Sequence, residues 1–244
     1  MSAFDVIAFD ADDTLWQNER LYVHVQGQFK ALLSRYHAPD WVGERLYATE
    51  MRNLQHYGYG AKAFALSMIE TAVELTEGRI AGRDVQVLID LVKNMLTAEV
   101  ELLEHVAETI PRLAGAYPLM LITKGDLRDQ ESKIARSGLA DHFSRVEIVS
   151  DKRPETYAAL LKRHGIAPAR FLMVGNSLRS DVLPVLAIGG SAVHVPGVHT
   201  WVHEVAEPPP AGHPGYHQLE HLGRLPALLE RLERQHGAGD AGRP

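Results

Sequence analysis

The chain has 244 residues, 45% hydrophobic and 23% charged, an ordinary globular composition that excludes fibrous and largely disordered classes and allows one large domain or a core with a small insert. A formal net charge of −6, with Lys and Arg scattered rather than gathered into runs, excludes a phosphate-backbone footprint and so a polymeric nucleic-acid partner. The absence of cysteine removes disulfides, thiolate metal sites and thiol nucleophiles, and fits a reducing compartment.

The predicted elements alternate along most of the chain. Residues 6–9 form a short apolar run ending at Asp10, followed from about residue 18 to 97 by helical periodicity at 19–36, 39–54, 61–76 and 83–95 with no convincing strand. A helix is expected over 101–113, a strand over 118–123, a helix over 127–137 closed by Gly138, and a weaker strand over 146–149. Then come a helix over 154–164 closed by Gly165, a strand over 170–174, a helix over 181–188 closed by Gly189 and a strand over 191–195. The run Glu207-Pro208-Pro209-Pro210 reads as a loop, residues 225–235 as a short helix, and the Gly-rich residues 236–244 as a frayed tail.

Apolar runs this short, bounded by helices with Gly stops, are the pattern of strands buried on both faces of a parallel sheet. The fold class is therefore α/β, a doubly wound (Rossmann-like) parallel sheet, with residues 1–17 and 98–244 as the core domain and residues 18–97 as an inserted all-helical cap domain. Entry directly after the first strand puts the insert over the strand's carboxyl end, where open α/β sheets bind ligands. The chain's start carries no basic stretch followed by an apolar core, and no window approaches about 18 apolar residues, so a cytoplasmic protein without a membrane partner is expected, as a monomer or homodimer.

The densest chemical signal is Phe9-Asp10-Ala11-Asp12-Asp13-Thr14-Leu15, three carboxylates and a Thr in a loop leaving a buried strand. Acids at such a place cost desolvation energy unless a cation or specific donors compensate. Hard oxygen donors without His or Cys nearby favour Mg²⁺ as that cation, shared with a substrate phosphate. The 13 histidines show no metal-ligand spacing.

Asp10-Ala11-Asp12-Asp13-Thr14 resembles the first motif of the haloacid dehalogenase-like superfamily. In the same order, Leu121-Ile122-Thr123 resembles the second motif, Lys152 the basic residue of the third, and Gly175-Asn176-Ser177-Leu178-Arg179-Ser180-Asp181 the acidic loop of the fourth. The resemblance implies a phosphatase with a helical cap of type one, hydrolysing a small phosphorylated metabolite. Asp10 would attack phosphorus, Asp12 would protonate the leaving oxygen and then activate water, Thr123 would donate to a phosphoryl oxygen, and Lys152 would balance the charge. The implied metal set is Asp10, Asp12, Asn176 and Asp181, with the direct ligand left open between Asn176 and Asp181.

The chain departs from the family pattern in several places. Asn176 stands where the family usually has Asp, a neutral amide in place of an anionic ligand, and Asp13 replaces a common Gly. Asp151-Lys152-Arg153-Pro154 stands where the family often reads Lys-Pro-x-Pro, making Arg153 a rival to Lys152; Lys152 is preferred as the more compact charge. Lys124-Gly125 follows the second motif where Asn-Gly is more common, and Lys124 either binds the leaving group or faces solvent. In the insert, His56-Tyr57-Gly58-Tyr59-Gly60-Ala61-Lys62 either contacts substrate, through His56, Tyr57 and Lys62, or packs the cap and turns the chain. Three alternatives accompany the phosphatase reading. They are a 2-haloacid dehalogenase, whose Asp10 would attack carbon without a metal, a phosphomutase, and a non-catalytic member that binds a partner.

Overall fold

The computed structural model describes residues 2–197 and 201–240, so the end of the expected tail, residues 241–244, lies outside the described residues. The chain divides into two compact units. One comprises Met1–Gln17, Glu101–Thr123 and Ser137–Pro244, and the other Asn18–Val100 with Lys124–Arg136.

The first unit is built on a six-stranded sheet. Its strands are β1 (Val6–Phe9), β2 (Leu119–Lys124), β3 (Arg145–Val149), β4 (Phe171–Gly175), β5 (Ser191–His194) and β6 (Tyr216–Gln218), in the order β3-β2-β1-β4-β5-β6. β1 pairs in parallel with β2 and with β4, β4 with β5, and β5 with β6. β1 and β4 are buried along their whole length, as central strands covered on both faces must be. Val6 and Ala8 face a cluster with Met120, Ile122, Tyr157, Leu160, Phe171, Met173 and Val185, which seats helix α7 (Pro154–His164) and helix α8 (Leu183–Ala187) on one face. On alternate residues Phe9 meets the ring of Phe143 edge-on at 6.2 Å. The winding direction reverses between β1 and β4, the point at which doubly wound sheets open a crevice beyond their carboxyl ends.

The second unit contains α1 (Glu19–Leu33), α2 (Pro39–Tyr57), α3 (Ala61–Leu75), α4 (Gly82–Thr97) and α6 (Leu127–Arg136). Its core follows the four-residue spacing that made the segment legible: Val25, Phe29 and Leu33 on α1, Val42 and Leu46 on α2, Phe64, Met68 and Ala72 on α3, Leu88 and Val92 on α4. Among the described residues no helix is long and apolar enough to cross a membrane.

Three local expectations are corrected, and one strand was not anticipated. The helix expected from residue 101 is α5 (Val106–Ala114), because His105 adopts a left-handed φ of 66° and the preceding residues pair with the first crossing into the insert, Gln17 N to Glu101 O at 2.9 Å and Leu103 N to Leu15 O at 2.9 Å. The helix expected over 181–188 is a π turn, Leu178–Val182, running into α8. Pro184 lacks the N–H that would bond the Ser180 carbonyl, and that carbonyl accepts the Tyr157 hydroxyl instead at 3.1 Å. β6 has no apolar run, being a half-exposed three-residue strand at the sheet edge. The last helix, α9 (Leu225–Asp240), extends five residues past the expected end, so residues 236–240 are helical rather than frayed.

Candidate active site

Strand register assembles the site. Phe9 pairs with Val174 and with Leu121, so Asp10 leaves β1 beside the Gly175-Asn176 end of β4, and Thr123 comes to the same carboxyl edge from β2. Asp10 N donates to Val174 O at 2.9 Å. Asp10 is 7% exposed and Thr123 is buried.

Lys152, three residues beyond β3, is buried and points its ammonium between two carboxylates. Nζ lies 2.5 Å from Asp10 Oδ1 and 2.7 Å from Asp181 Oδ1. Burial pushes the Asp10 carboxyl up to about 7, against the pull of Lys152 and with the help of the nearby charges of Asp181 and Asp12. Burial works against the Lys152 ammonium too, yet the two carboxylates outweigh it and raise its pKa above the ordinary lysine value. Lys152 is thus a permanent cation.

The other oxygen of Asp10 is held from below. Thr14 Oγ1 stands 3.1 Å from Asp10 Oδ2 and 3.3 Å from Asn176 Oδ1, and accepts from Asn176 N at 3.0 Å. One hydroxyl therefore ties the first loop to the fourth. His194 Nε2, at the end of β5, is 3.0 Å from the Asn176 carbonyl. Asp181 Oδ2 accepts from Ser177 N at 3.0 Å, so both Asp181 oxygens are engaged. The Asp181 side chain fills the space beside Gly175, where an added Cβ would come within 2.2 Å of Asp181 Oδ2.

Asp12 is fixed by the indole of Trp16, whose Nε1 donates to Asp12 Oδ1 at 2.7 Å. Between them Asp13 takes a left-handed φ of 58°, and Asp13 N closes the turn on Trp16 O at 2.8 Å. A left-handed residue explains why glycine suits this position, and aspartate is among the few side chains that tolerate it.

The structure thus brings together Asp10, Asp12, Thr123, Lys152, Asn176 and Asp181 of the expected set. It does not bring in Arg153, the rival cation, which is exposed and donates from Nε to Asp151 Oδ2 at 2.5 Å. Lys124, Gly125, His56, Tyr57 and Lys62 belong to the helical unit. There Lys124 Nζ lies 4.1 Å over the Tyr59 ring, Lys62 Nζ is 3.0 Å from Asp126, and His56 and Tyr57 are exposed, so Tyr57 does not pack a core. Gly125 has φ 136° with Gln130 Nε2 3.0 Å from where a Cβ would stand, a position that only glycine occupies without strain. Thr14, Trp16 and Tyr157 were not among the expected site residues. Thr14 and Trp16, both four residues from an acid they bind, were the available signal.

Two carboxylates and an amide converge here, all hard oxygen donors, and Lys152 supplies one positive charge against Asp10, Asp12 and Asp181. That donor chemistry fits Mg²⁺. Among the described residues no group of three or more His, Cys, Asp or Glu side chains is disposed as a metal cage.

A family model described as haloacid dehalogenase-like hydrolase matches residues 4–189. A solved haloacid dehalogenase-like family hydrolase from Xanthomonas campestris is 43% identical, covering 97% of this chain and 95% of its own, with a TM-score of 0.86. A 2-haloacid dehalogenase from Pseudomonas syringae is 19% identical, covering 94% and 99%, with a TM-score of 0.62. A predicted phosphoglycolate phosphatase from Haemophilus somnus is 17% identical, covering 93% and 99%, with a TM-score of 0.61. At these lower identities the likeness is one of fold. No curated protein matches the chain.

Proposed function

The chain belongs to the haloacid dehalogenase-like hydrolases, and from that premise we propose that it is a Mg²⁺-dependent phosphatase acting on a small phosphorylated metabolite through a phosphoryl-aspartate on Asp10. The observation that carries this reading is Asp12, a second carboxylate two residues past the nucleophile, held in place by the Trp16 indole. Phosphate-ester hydrolysis needs an acid for the leaving alkoxide and a base for water, and one carboxyl alternates between the two roles.

In the first step an Asp10 oxygen forms a bond to phosphorus while the ester P–O bond breaks, and the proton on Asp12 passes to the departing alkoxide. In the second, Asp12 removes a proton from water, whose oxygen attacks phosphorus and frees Asp10 with release of phosphate. Lys152 keeps the Asp10 carboxylate in register and offsets charge on the phosphoryl oxygens, and the Thr123 hydroxyl donates to one of them. Asp10 and Asn176 would hold Mg²⁺, which would supply neutralisation of phosphoryl charge when bound, leaving the Asp12 carboxyl to carry its proton. Asp181 acts chiefly through Lys152, both of its oxygens being engaged. The helical insert is the natural place for substrate choice, with His56, Tyr57, Lys62 and Lys124 as candidate contacts.

One observation favours a second reading. Asn176 gives a neutral amide at the fourth motif, compatible with attack of Asp10 on the halogen-bearing carbon of a 2-haloacid without a metal. Phosphate and halide release are to be measured across panels of phosphorylated metabolites and 2-haloacids, with and without Mg²⁺, beside Asp10→Asn. Mg²⁺-dependent phosphate release abolished by Asp10→Asn is the expected result. Metal-independent halide release would replace the proposal with the second reading, and full phosphatase activity in Asp10→Asn would refute the nucleophile.

A further inference from the structure

We propose that Glu204 is a positioning residue that braces the π turn of the fourth motif through two serines 27 and 24 residues upstream of it and so keeps Asp181 on Lys152. A short 3-10 turn, Val202–Glu204, lies against the turn Leu178–Val182. Glu204 Oε2 accepts from Ser177 Oγ at 2.5 Å and from Ser180 Oγ at 2.6 Å, two hydroxyls converging on one carboxylate oxygen. Both serines are buried. A second tie runs beside them, from Arg179 Nη1 to the His203 carbonyl at 3.1 Å.

The serines that Glu204 holds are the ones that shape the catalytic end of the turn. Ser177 Oγ also accepts from Ser180 N at 2.9 Å, and Ser177 N donates to Asp181 Oδ2 at 3.0 Å. The Ser180 carbonyl, freed by Pro184, takes the Tyr157 hydroxyl. A π turn is wider and less favourable than the α geometry it replaces, so it persists only when outside contacts hold it. Glu204 supplies two charge-assisted bonds at its mouth, Tyr157 one at its base. Removing the first deprives the Ser177 and Ser180 hydroxyls of their shared acceptor, and the Ser177 amide that orients the Asp181 carboxylate toward Lys152 Nζ is held less firmly.

The link is one of geometry and holds whatever the substrate, so it is testable in the metal-free protein, apart from the phosphatase reading. Two readouts serve: hydrogen exchange of the amides of residues 177–182 by mass spectrometry, and the rate at which acetic anhydride acylates Lys152, a group buried beneath that turn. With two bonds to a charged group lost, Glu204→Ala should speed both by at least about tenfold while exchange in β1 and β4 stays unchanged. Glu204→Gln, whose amide oxygen still accepts both hydroxyls, should stay within about threefold of the parent in both readouts. Any hydrolytic activity found should fall in kcat with little change in KM. Unchanged exchange in Glu204→Ala, or faster exchange with Lys152 still protected, would overturn the proposal. So would loss of protection across the whole sheet in Glu204→Gln. A protein that hydrolyses no phosphate monoester yet shows the two accelerations would refute the function and leave this inference standing.

Discussion

Replacing Lys152 with Met removes the one cation from a buried set of carboxylates and leaves the volume nearly unchanged. At 2.5 and 2.7 Å from Asp10 and Asp181, each pair corresponds to roughly 6 kcal/mol of Coulomb attraction at an effective dielectric near 20. Desolvation of the ammonium, which is 1% exposed, cancels much of that. The net cost of stranding two carboxylates is about 3–5 kcal/mol near neutral pH. The pH dependence has a definite sign. The Asp10 carboxyl is raised to about 7 in the folded protein from 3.8, so the folded state holds the extra proton across that window and stability falls as pH rises through it. Loss of Lys152 moves the upper edge of the window higher. Lys152→Met should therefore be penalised more at pH 8 than at pH 5, by at least about 1 kcal/mol. Urea unfolding in metal-free buffer at the two pH values reads this directly, and Lys152→Met with Asp181→Asn should recover about 1–3 kcal/mol of coupling. A cost below about 1 kcal/mol at both pH values, or strict additivity, would show that the three groups do not form a charge-coupled set.

Asp13→Gly should leave stability unchanged or raise it slightly while Asp13→Val lowers it by about 1–2 kcal/mol, because the left-handed φ of 58° is costly for a β-branched side chain; thermal melts of the pair decide. Gly175→Ala drives a Cβ within 2.2 Å of Asp181 Oδ2, so it should lower kcat by at least about 10²-fold and displace Asp181 in a crystal structure. Glu50, on α2, is pushed up to about 8 from 4.5 by burial and by the charge of Glu19. A raised carboxyl costs stability as pH climbs from about 4.5 to 8, so Glu50→Gln should gain relative to the parent across that range, reaching about 2–3 kcal/mol, and should match it at pH 4. A gain that is flat with pH would mean that Glu50 titrates normally.

The sheet was legible wherever burial on both faces left an uninterrupted apolar run, as at residues 6–9 and in the segments that became β2 and β4. The insert was legible because Val25, Phe29 and Leu33, then Phe64, Met68 and Ala72, repeat at four-residue spacing. β6 was hidden because Tyr216-His217-Gln218 at a sheet edge has no need of apolar residues. The helix expected over 181–188 failed through a backbone accounting that periodicity ignores, one missing N–H at Pro184 settled by a hydroxyl 27 residues upstream at Tyr157.

Residue pattern alone determined the fold class, and the resemblance of four motifs in their order nominated Asp10, Asp12, Thr123, Lys152, Asn176 and Asp181. Only the tertiary structure decided that Lys152 rather than Arg153 meets Asp10, and that Asp181 is occupied with Lys152. It alone joined Thr14 to Asn176 and Glu204 to two serines. These are contacts between residues up to 162 positions apart, and their partners are chosen by strand register and by where a turn leaves the sheet, which no local pattern encodes.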